Sequence, residues 1–198
     1  LGSVNDFHFD DHDWTVRYLV VDTGDWLPGR LVVIAPAAFE RFDRNAKAVQ
    51  VNLTRDQIEN SPDIGSGEPL LPAQEATLAE YYGWPMFGPA MPGLIRPLAG
   101  ARTAERPADT QLRSANDVAQ YSIRALDGEL GRVDDFILED YVWTVRYLSI
   151  DTGNWWAGKK TLIAPNWIRE IDWANSLVHV DLTRDQIIDG QRVDGAGQ

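Results

Sequence analysis

The sequence predicts an all-β protein made of two tandem copies of one small unit, and three observations carry that expectation. Residues 1–60 align with residues 130–189 at a constant offset of 129 without a gap, and 29 of the 60 positions are identical, the mark of a duplicated domain. Within each copy the apolar residues fall in short runs rich in Val, Ile, Leu and aromatic side chains, punctuated by Asp, Gly, Asn and Pro as strands are by turns. A hydrophobic share of 44% over 198 residues is enough to bury a core.

The second copy opens on a hairpin. Residues 121–125, the pair Asp127-Gly128 and residues 132–138 read as strand, tight turn and strand, because Asp-Gly takes up the positive φ values that such a turn needs. Residues 143–150 make the next strand, with Trp143, Val145 and Tyr147 expected on one face and Leu148 and Ile150 on the other. Both faces are then partly apolar, so one should fill the interior while the other packs on the sister copy or on a partner. A turn on Asp151-Thr152-Gly153-Asn154 leads into a short strand at 161–164, which Pro165 stops. Residues 166–171 are expected to form a helical turn burying Ile168 and Ile171. Residues 177–182 form the last strand, with Val178, Val180 and Leu182 facing one way and His179 and Asp181 the other. Thr183 then N-caps a helix, Gln186 closes a capping box, and Leu182 with Ile187 forms a hydrophobic staple. Asp185 suits the positive end of that helix. Thr54, Gln57, Leu53, Ile58 and Asp56 repeat the arrangement in the first copy.

Four segments follow from this reading: a first copy at 1–60, a linker at 61–113, a second copy at 114–190 and a tail at 191–198. The linker holds most of the prolines and many glycines, and its one helix-like piece is 74–82. Leu1-Gly2 aligns with Leu130-Gly131, so the counterpart of residues 119–125 and of Asp127-Gly128 would precede Leu1. The first copy is therefore expected to lack one strand and to leave a sheet edge unpaired.

The run from Asp127 through Phe136, then Trp143-Thr144-Val145-Arg146-Tyr147-Leu148, Asp151 through Trp155, Gly158-Lys159-Lys160 and Leu162-Ile163-Ala164-Pro165 is similar to the PRC-barrel domain. The first copy carries the same resemblance through Trp14 to Leu19, Asp22 through Arg30 and Ile34-Ala35-Pro36, and the linker through Asn60-Ser61-Pro62 and Tyr81-Tyr82-Gly83-Trp84-Pro85. That family includes the cytoplasmic part of the photosynthetic reaction-centre H subunit and the C-terminal domain of the ribosome maturation factor RimM. The resemblance implies two small antiparallel β-barrels with short helices, related by an approximate internal twofold. It implies no catalytic residues and no cofactor, because the family uses its barrel for protein contacts. The expected function is thus a non-enzymatic interaction or assembly module similar to the reaction-centre H subunit cytoplasmic domain, with a protein partner, contact between the two copies within the chain, and room for a homodimer.

Charge and composition narrow the alternatives. Thirty acidic against 18 basic side chains give a formal charge of −12, which repels nucleic acid and anionic lipid and disfavours a RimM-like ribosome factor. There are no cysteines, which removes disulfides and thiolate chemistry and fits a cytoplasmic setting. No stretch approaches the roughly 18 apolar residues of a membrane span, so no membrane insertion is expected. The rival enzymatic reading is an aspartic-protease-like hydrolase, since Asp22-Thr23-Gly24 and Asp151-Thr152-Gly153 each end an apolar strand in two related halves, as a proton-sharing carboxylate pair requires. The simpler reading makes Asp22 and Asp151 turn residues that bond their own backbone while Gly24 and Gly153 supply positive φ. His8, Asp10, Asp11, His12 and Asp13 have the ligand types of a metal site, but the second copy places Ile137, Glu139, Asp140, Tyr141 and Val142 there, so the cluster reads as a solvated turn. Of the eight tryptophans, Trp14 and Trp143 are expected in the core. Trp26, Trp155, Trp156, Trp167 and Trp173 are expected as lids or domain contacts and as the candidate interface for a protein or a sugar.

Overall fold

A computed structural model describes residues 1–65, 67–85, 111–153 and 160–194 of the chain, which divides into two compact units, Leu1–Arg113 and Ser114–Gln198. The elements are mostly short strands with a few short helices. Among the described residues no helix is long and apolar enough to cross a membrane.

The first unit runs β1 (Ser3–Asp10), β2 (Val16–Asp22), β3 (Leu31–Ile34), β4 (Phe39–Asp43), β5 (Ala48–Val51), α1 (Arg55–Glu59), α2 (Pro72–Tyr82) and β6 (Leu112–Ser114). Strands β1, β2 and β3 form an antiparallel meander, β6 joins the free side of β1, and β4 with β5 forms a separate hairpin. The second unit runs α3 (Ala115–Val118), β7 (Ser122–Ala125), β8 (Gly128–Glu139), β9 (Thr144–Asp151), β10 (Lys160–Ile163), β11 (Ile168–Asp172), β12 (Leu177–Val180) and α4 (Arg184–Asp194). Here all six strands make one sheet in the order β10-β9-β8-β7-β12-β11. Its pairs are antiparallel except β7 with β12, which are parallel. The offset of 129 carries β3 onto β10, β4 onto β11, β5 onto β12 and the start of α1 onto the start of α4.

Several expectations need correction. The strand at 143–150 does not alternate simply, because Ile137 pairs with Tyr147 while Leu138 pairs with Val145, leaving Arg146 as an extra residue in a bulge. Val145, Leu148 and Ile150 are consequently all buried on the inner face and Tyr147 lies on the outer one. Trp143 precedes the strand at φ 53°, as Trp14 does at φ 60°. Trp14 is buried and stacks on Phe9, and Trp143 is half-buried.

Residues 168–171 are strand rather than helical turn. Only Pro165–Trp167 is 3-10, after which Ile168 pairs with Val180 and Ile171 with Val178, a bulge at Arg169 intervening. The bulge puts Ile168 and Ile171 on one face three residues apart, which mimics helical spacing. The last strand also ends early, at Val180. The hairpin turn is Leu126-Asp127, since Gly128 already pairs with Ala125.

The described part of the linker is core. Ile64, Leu70, Leu78 and Leu112 are buried against Tyr18, Val20, Val33 and Ala35 of the meander, with Tyr82 and Trp84 packed at the margin and stacked at 4.1 Å. Arg30 donates to the Glu59 and Ser61 carbonyls, Tyr18 Oη donates to Glu75 Oε1 at 3.2 Å, and Tyr81 Oη donates to the Gln57 carbonyl at 2.9 Å. Proline and glycine marked this stretch as a linker, but they leave enough apolar side chains to cover a sheet face.

Two predictions follow for this cover. Leu78 is almost fully buried, so Leu78→Ala should cost the first unit about 2–5 kcal/mol in a denaturant titration of the full chain. A loss below about 1 kcal/mol would mean that α2 merely rests on the sheet. Burial holds the Tyr82 phenol above its ordinary 10.0, against the hydrogen bond from Ser61 and the charge of Arg30. The folded unit keeps that proton after the unfolded chain has released it, so stability is retained below pH 10 and falls as pH rises from there towards the folded value. Tyr82→Phe should make the alkaline loss of stability shallower, as read from melting temperatures at pH 9 to 11.

Candidate functional site

The duplicated Asp-Thr-Gly triplets are turns in both units. Asp22 Oδ1 accepts from Gly24 N–H at 2.9 Å, and Asp151 Oδ1 accepts from Gly153 N–H at 2.9 Å. Gly24 and Gly153 sit at φ 62° and 60°, the left-handed region that glycine tolerates best. Both carboxylates are exposed, whereas the intervening Thr23 and Thr152 are buried. The Thr23 hydroxyl lies 2.7 Å from the Leu27 carbonyl oxygen and 2.8 Å from that of Arg30, and donates into that pair. The threonine, not the aspartate, is the inward member of the triplet. Behind each turn a glycine is pressed against the strand end: a Cβ on Gly2 or Gly131 would lie 1.9 or 2.1 Å from the carbonyl oxygen of Asp22 or Asp151.

The capping boxes are closed in both copies. Thr54 N–H donates to Gln57 Oε1 at 2.8 Å and Gln57 N–H to Thr54 Oγ1 at 3.2 Å; the corresponding distances for Thr183 and Gln186 are 2.9 and 3.3 Å. Ile58 and Ile187 are fully buried beneath them. Asp127 Oδ1 also accepts from Arg184 N–H at 3.0 Å, tying the β7–β8 turn to α4.

The acidic run at the end of β1 is an ion-pair turn, and its first half is buried rather than solvated. His8 and Asp10 are nearly inaccessible. His8 Nε2 lies 3.0 Å from the Gly67 carbonyl oxygen, Arg17 donates to both Asp10 Oδ2 and Asp13 Oδ2 at 3.1 Å, and Arg113 Nε donates to Asp11 Oδ2 at 2.9 Å. Asp11 thus fastens β6 to the sheet and His8 fastens the segment after Ser61, while Asp10 and Asp13 hold Arg17 across the β1–β2 turn. Among the described residues no three His, Asp or Glu side chains are grouped to hold a metal ion. On β11, hydrogen bonds from the Asn175 side chain and backbone hold the Asp172 carboxyl below its ordinary range.

The tryptophans divide by position. Trp26 is half-buried, donates to the Leu1 carbonyl and lies under the Arg55 guanidinium at 4.6 Å. Trp173 is half-buried and meets Tyr121 edge-on at 6.2 Å. Trp167 is half-buried, and its carbonyl accepts from Asp181 N–H at 3.0 Å. Trp155 and Trp156 lie outside the described residues.

The surface that distinguishes the two units is the outer face of the sheet. In the first unit His8, Tyr18, Val20, Val33 and Ala35 on that face are all buried beneath the segment after Ser61. Their counterparts are Ile137, Tyr147, Ser149, Leu162 and Ala164. Ile137 is 41% exposed and Tyr147, Leu162 and Ala164 are half-buried. At the adjoining β8–β9 turn Tyr141 is 92% and Val142 53% exposed, where the first unit has His12 and Asp13. This patch was missed in the sequence, although a signal existed: the duplication replaces polar His8, His12 and Asp13 by apolar Ile137, Tyr141 and Val142. Such an exchange on an accessible face favours contact with another molecule.

The second unit also has an open cleft of about 590 Å³ between the β8 strand start, the Asp151-Thr152-Gly153 turn and Arg184. Its lining mixes Arg132 and Arg184 with Glu129, Asp134 and Asp151 and holds no histidine and no paired nucleophile and base. Comparison with protein-family models gives no match for the chain, and comparison with curated proteins gives none.

If the threonine carries the turn, Asp22→Asn should lower stability by about 1 kcal/mol or less, because Asn accepts the same local bond. Thr23→Val should cost more, about 1–3 kcal/mol, by removing the donor to two carbonyls. Denaturation midpoints of the two variants test the order, and the reverse order would make the carboxylate the structural member.

Proposed function

We propose that the chain is a tandem PRC-barrel protein, two small antiparallel barrels with an approximate internal twofold, acting as a non-enzymatic protein interaction or assembly module. The likeness is to the cytoplasmic domain of the reaction-centre H subunit rather than to a ribosome factor, since a formal charge of −12 opposes RNA. The observation that supports this reading best is the outer face of β8, β9 and β10. The same face is sealed by the chain itself in the first unit and presents Ile137, Tyr141, Val142 and Tyr147 in the second. The local engagement of Asp22 and Asp151 in their own turns speaks against the hydrolase alternative, which needs carboxylates free to share a proton.

Affinity purification of the protein from its native cell, followed by identification of what co-purifies, tests the module. The recovered protein should be lost with the double variant Ile137→Asp, Tyr141→Asp and retained with Asp22→Asn. Recovery indifferent to the double variant would remove the patch from consideration. Acid proteolysis by the purified chain that disappears in Asp22→Asn would overturn the non-enzymatic reading.

A further inference from the structure

The first unit holds its outer face shut with a segment that is no part of the sheet. Residues 61–84 supply Ile64, Leu70 and Leu78 to the cluster over Tyr18, Val20, Val33 and Ala35, and they contribute no strand to the order β3-β2-β1-β6. Their main-chain hydrogen bonds close locally, Gln74 and Glu75 N–H on the Leu71 carbonyl and Trp84 N–H on that of Ala79. Among the described residues none runs from this segment to a sheet strand. What crosses is made by side chains. His8 Nε2 donates to the Gly67 carbonyl at 3.0 Å, Tyr18 Oη donates to Glu75 Oε1 at 3.2 Å, and Tyr81 Oη of the segment donates to the Gln57 carbonyl at 2.9 Å.

The sheet beneath does not need the cover for its pairing. In the first unit Val4 faces Val21, Phe7 faces Leu19 and Leu19 faces Ile34; in the second Val133 faces Ile150, Phe136 faces Leu148 and Leu148 faces Ile163, which is the same register in both. The second meander keeps that register while Ile137 on the same face is exposed and Tyr147 and Leu162 are half-buried. Detaching the segment from the first meander therefore breaks no ladder bond. It costs apolar burial and the side-chain bonds named above. Local opening follows boundaries of this kind, where side chains carry the contact and the backbone network on either side is complete in itself.

We infer that residues 61–84 are a strap that lifts from the outer face of β1, β2 and β3 as one unit while the sheet beneath stays paired. Closed, it is an autoinhibitory cover. The strip it hides, Tyr18, Val20, Val33 and Ala35, is the counterpart of the face that the second unit presents at Tyr147, Ser149, Leu162 and Ala164. Arg30, which donates to the Glu59 and Ser61 carbonyls, holds the root of the strap on the first unit through the opening. The opening stands on its own, whereas the use of the bared strip for a partner rests on the interaction reading given above.

The chain has no cysteine, so a single introduced thiol reports the opening on the full protein. Val33 and Val32 are neighbours on β3, 2% and 4% exposed, the first beneath the strap and the second on the opposite face. With each rate scaled to its variant's own global stability, iodoacetamide should label Val33→Cys at least about tenfold faster than Val32→Cys, and with little dependence on urea below the unfolding transition. Leu78→Ala loosens the strap from its own side and should speed the labelling of Val33→Cys by at least about a further tenfold. Hydrogen exchange of the unaltered chain gives a second reading, in which the amides of residues 75–82 exchange ahead of those of residues 19–21. Equal scaled rates for the two cysteines, both rising steeply with urea, would overturn the inference and make the segment permanent core. Amides in α2 protected as long as those in β2 would overturn it as well. If the strap lifts but Leu78→Ala recovers no more partner from the cell than the unaltered chain, the opening stands and the interaction reading of the bared strip falls.

Discussion

A sheet whose strands carry apolar side chains on both faces must be covered on both, because each bare face leaves side chains in water and each bare edge leaves backbone groups without partners. Most of what distinguishes the two halves of this chain answers to that requirement. The first unit meets it on the outer face with a segment that composition marks as a spacer, drawn in by Arg30, Glu75 and the Tyr82–Trp84 stack. The second unit meets it on the inner face with β7 and α3. Neither does both within the described residues, so one inner and one outer surface remain where apolar side chains meet solvent.

The elements set by local chemistry were legible in the sequence. The capping boxes at Thr54 and Thr183 and the Asp-Thr-Gly turns each rest on side chains within a few residues of the backbone groups they satisfy. The duplication was legible because identical side chains recur at a fixed spacing, and it carried the succession of strands along one copy onto the other.

What was not legible depends on contacts distant in sequence. A bulge leaves no local mark, yet those at Arg146 and Arg169 decide which way every neighbouring side chain points. The first brought Val145 onto the same face as Leu148 and Ile150, where alternation puts it on the opposite one; the second gave a strand the i, i+3 spacing of a helix. The burial of Ile64, Leu70 and Leu78 depends on a sheet face 29 to 60 positions earlier, and nothing within the segment announces it. The candidate patch at Ile137 and Tyr141 needed the contrast between copies, since an exposed tyrosine alone is ordinary.

The bulges also date the features of the chain. Each copy carries the extra residue in the same strand, at Arg17 and at Arg146, and each carries a tryptophan in the left-handed region just ahead of it. An irregularity of this kind arises once far more readily than twice at one aligned position, so it was present in the single unit from which both halves descend. The glycine against the strand end and the capped helix belong to that ancestor by the same reasoning. The contrast between His8, His12 and Asp13 in one half and Ile137, Tyr141 and Val142 in the other arose after the doubling. The ancestral unit was thus a folding solution, and the two descendants diverged in what each keeps covered.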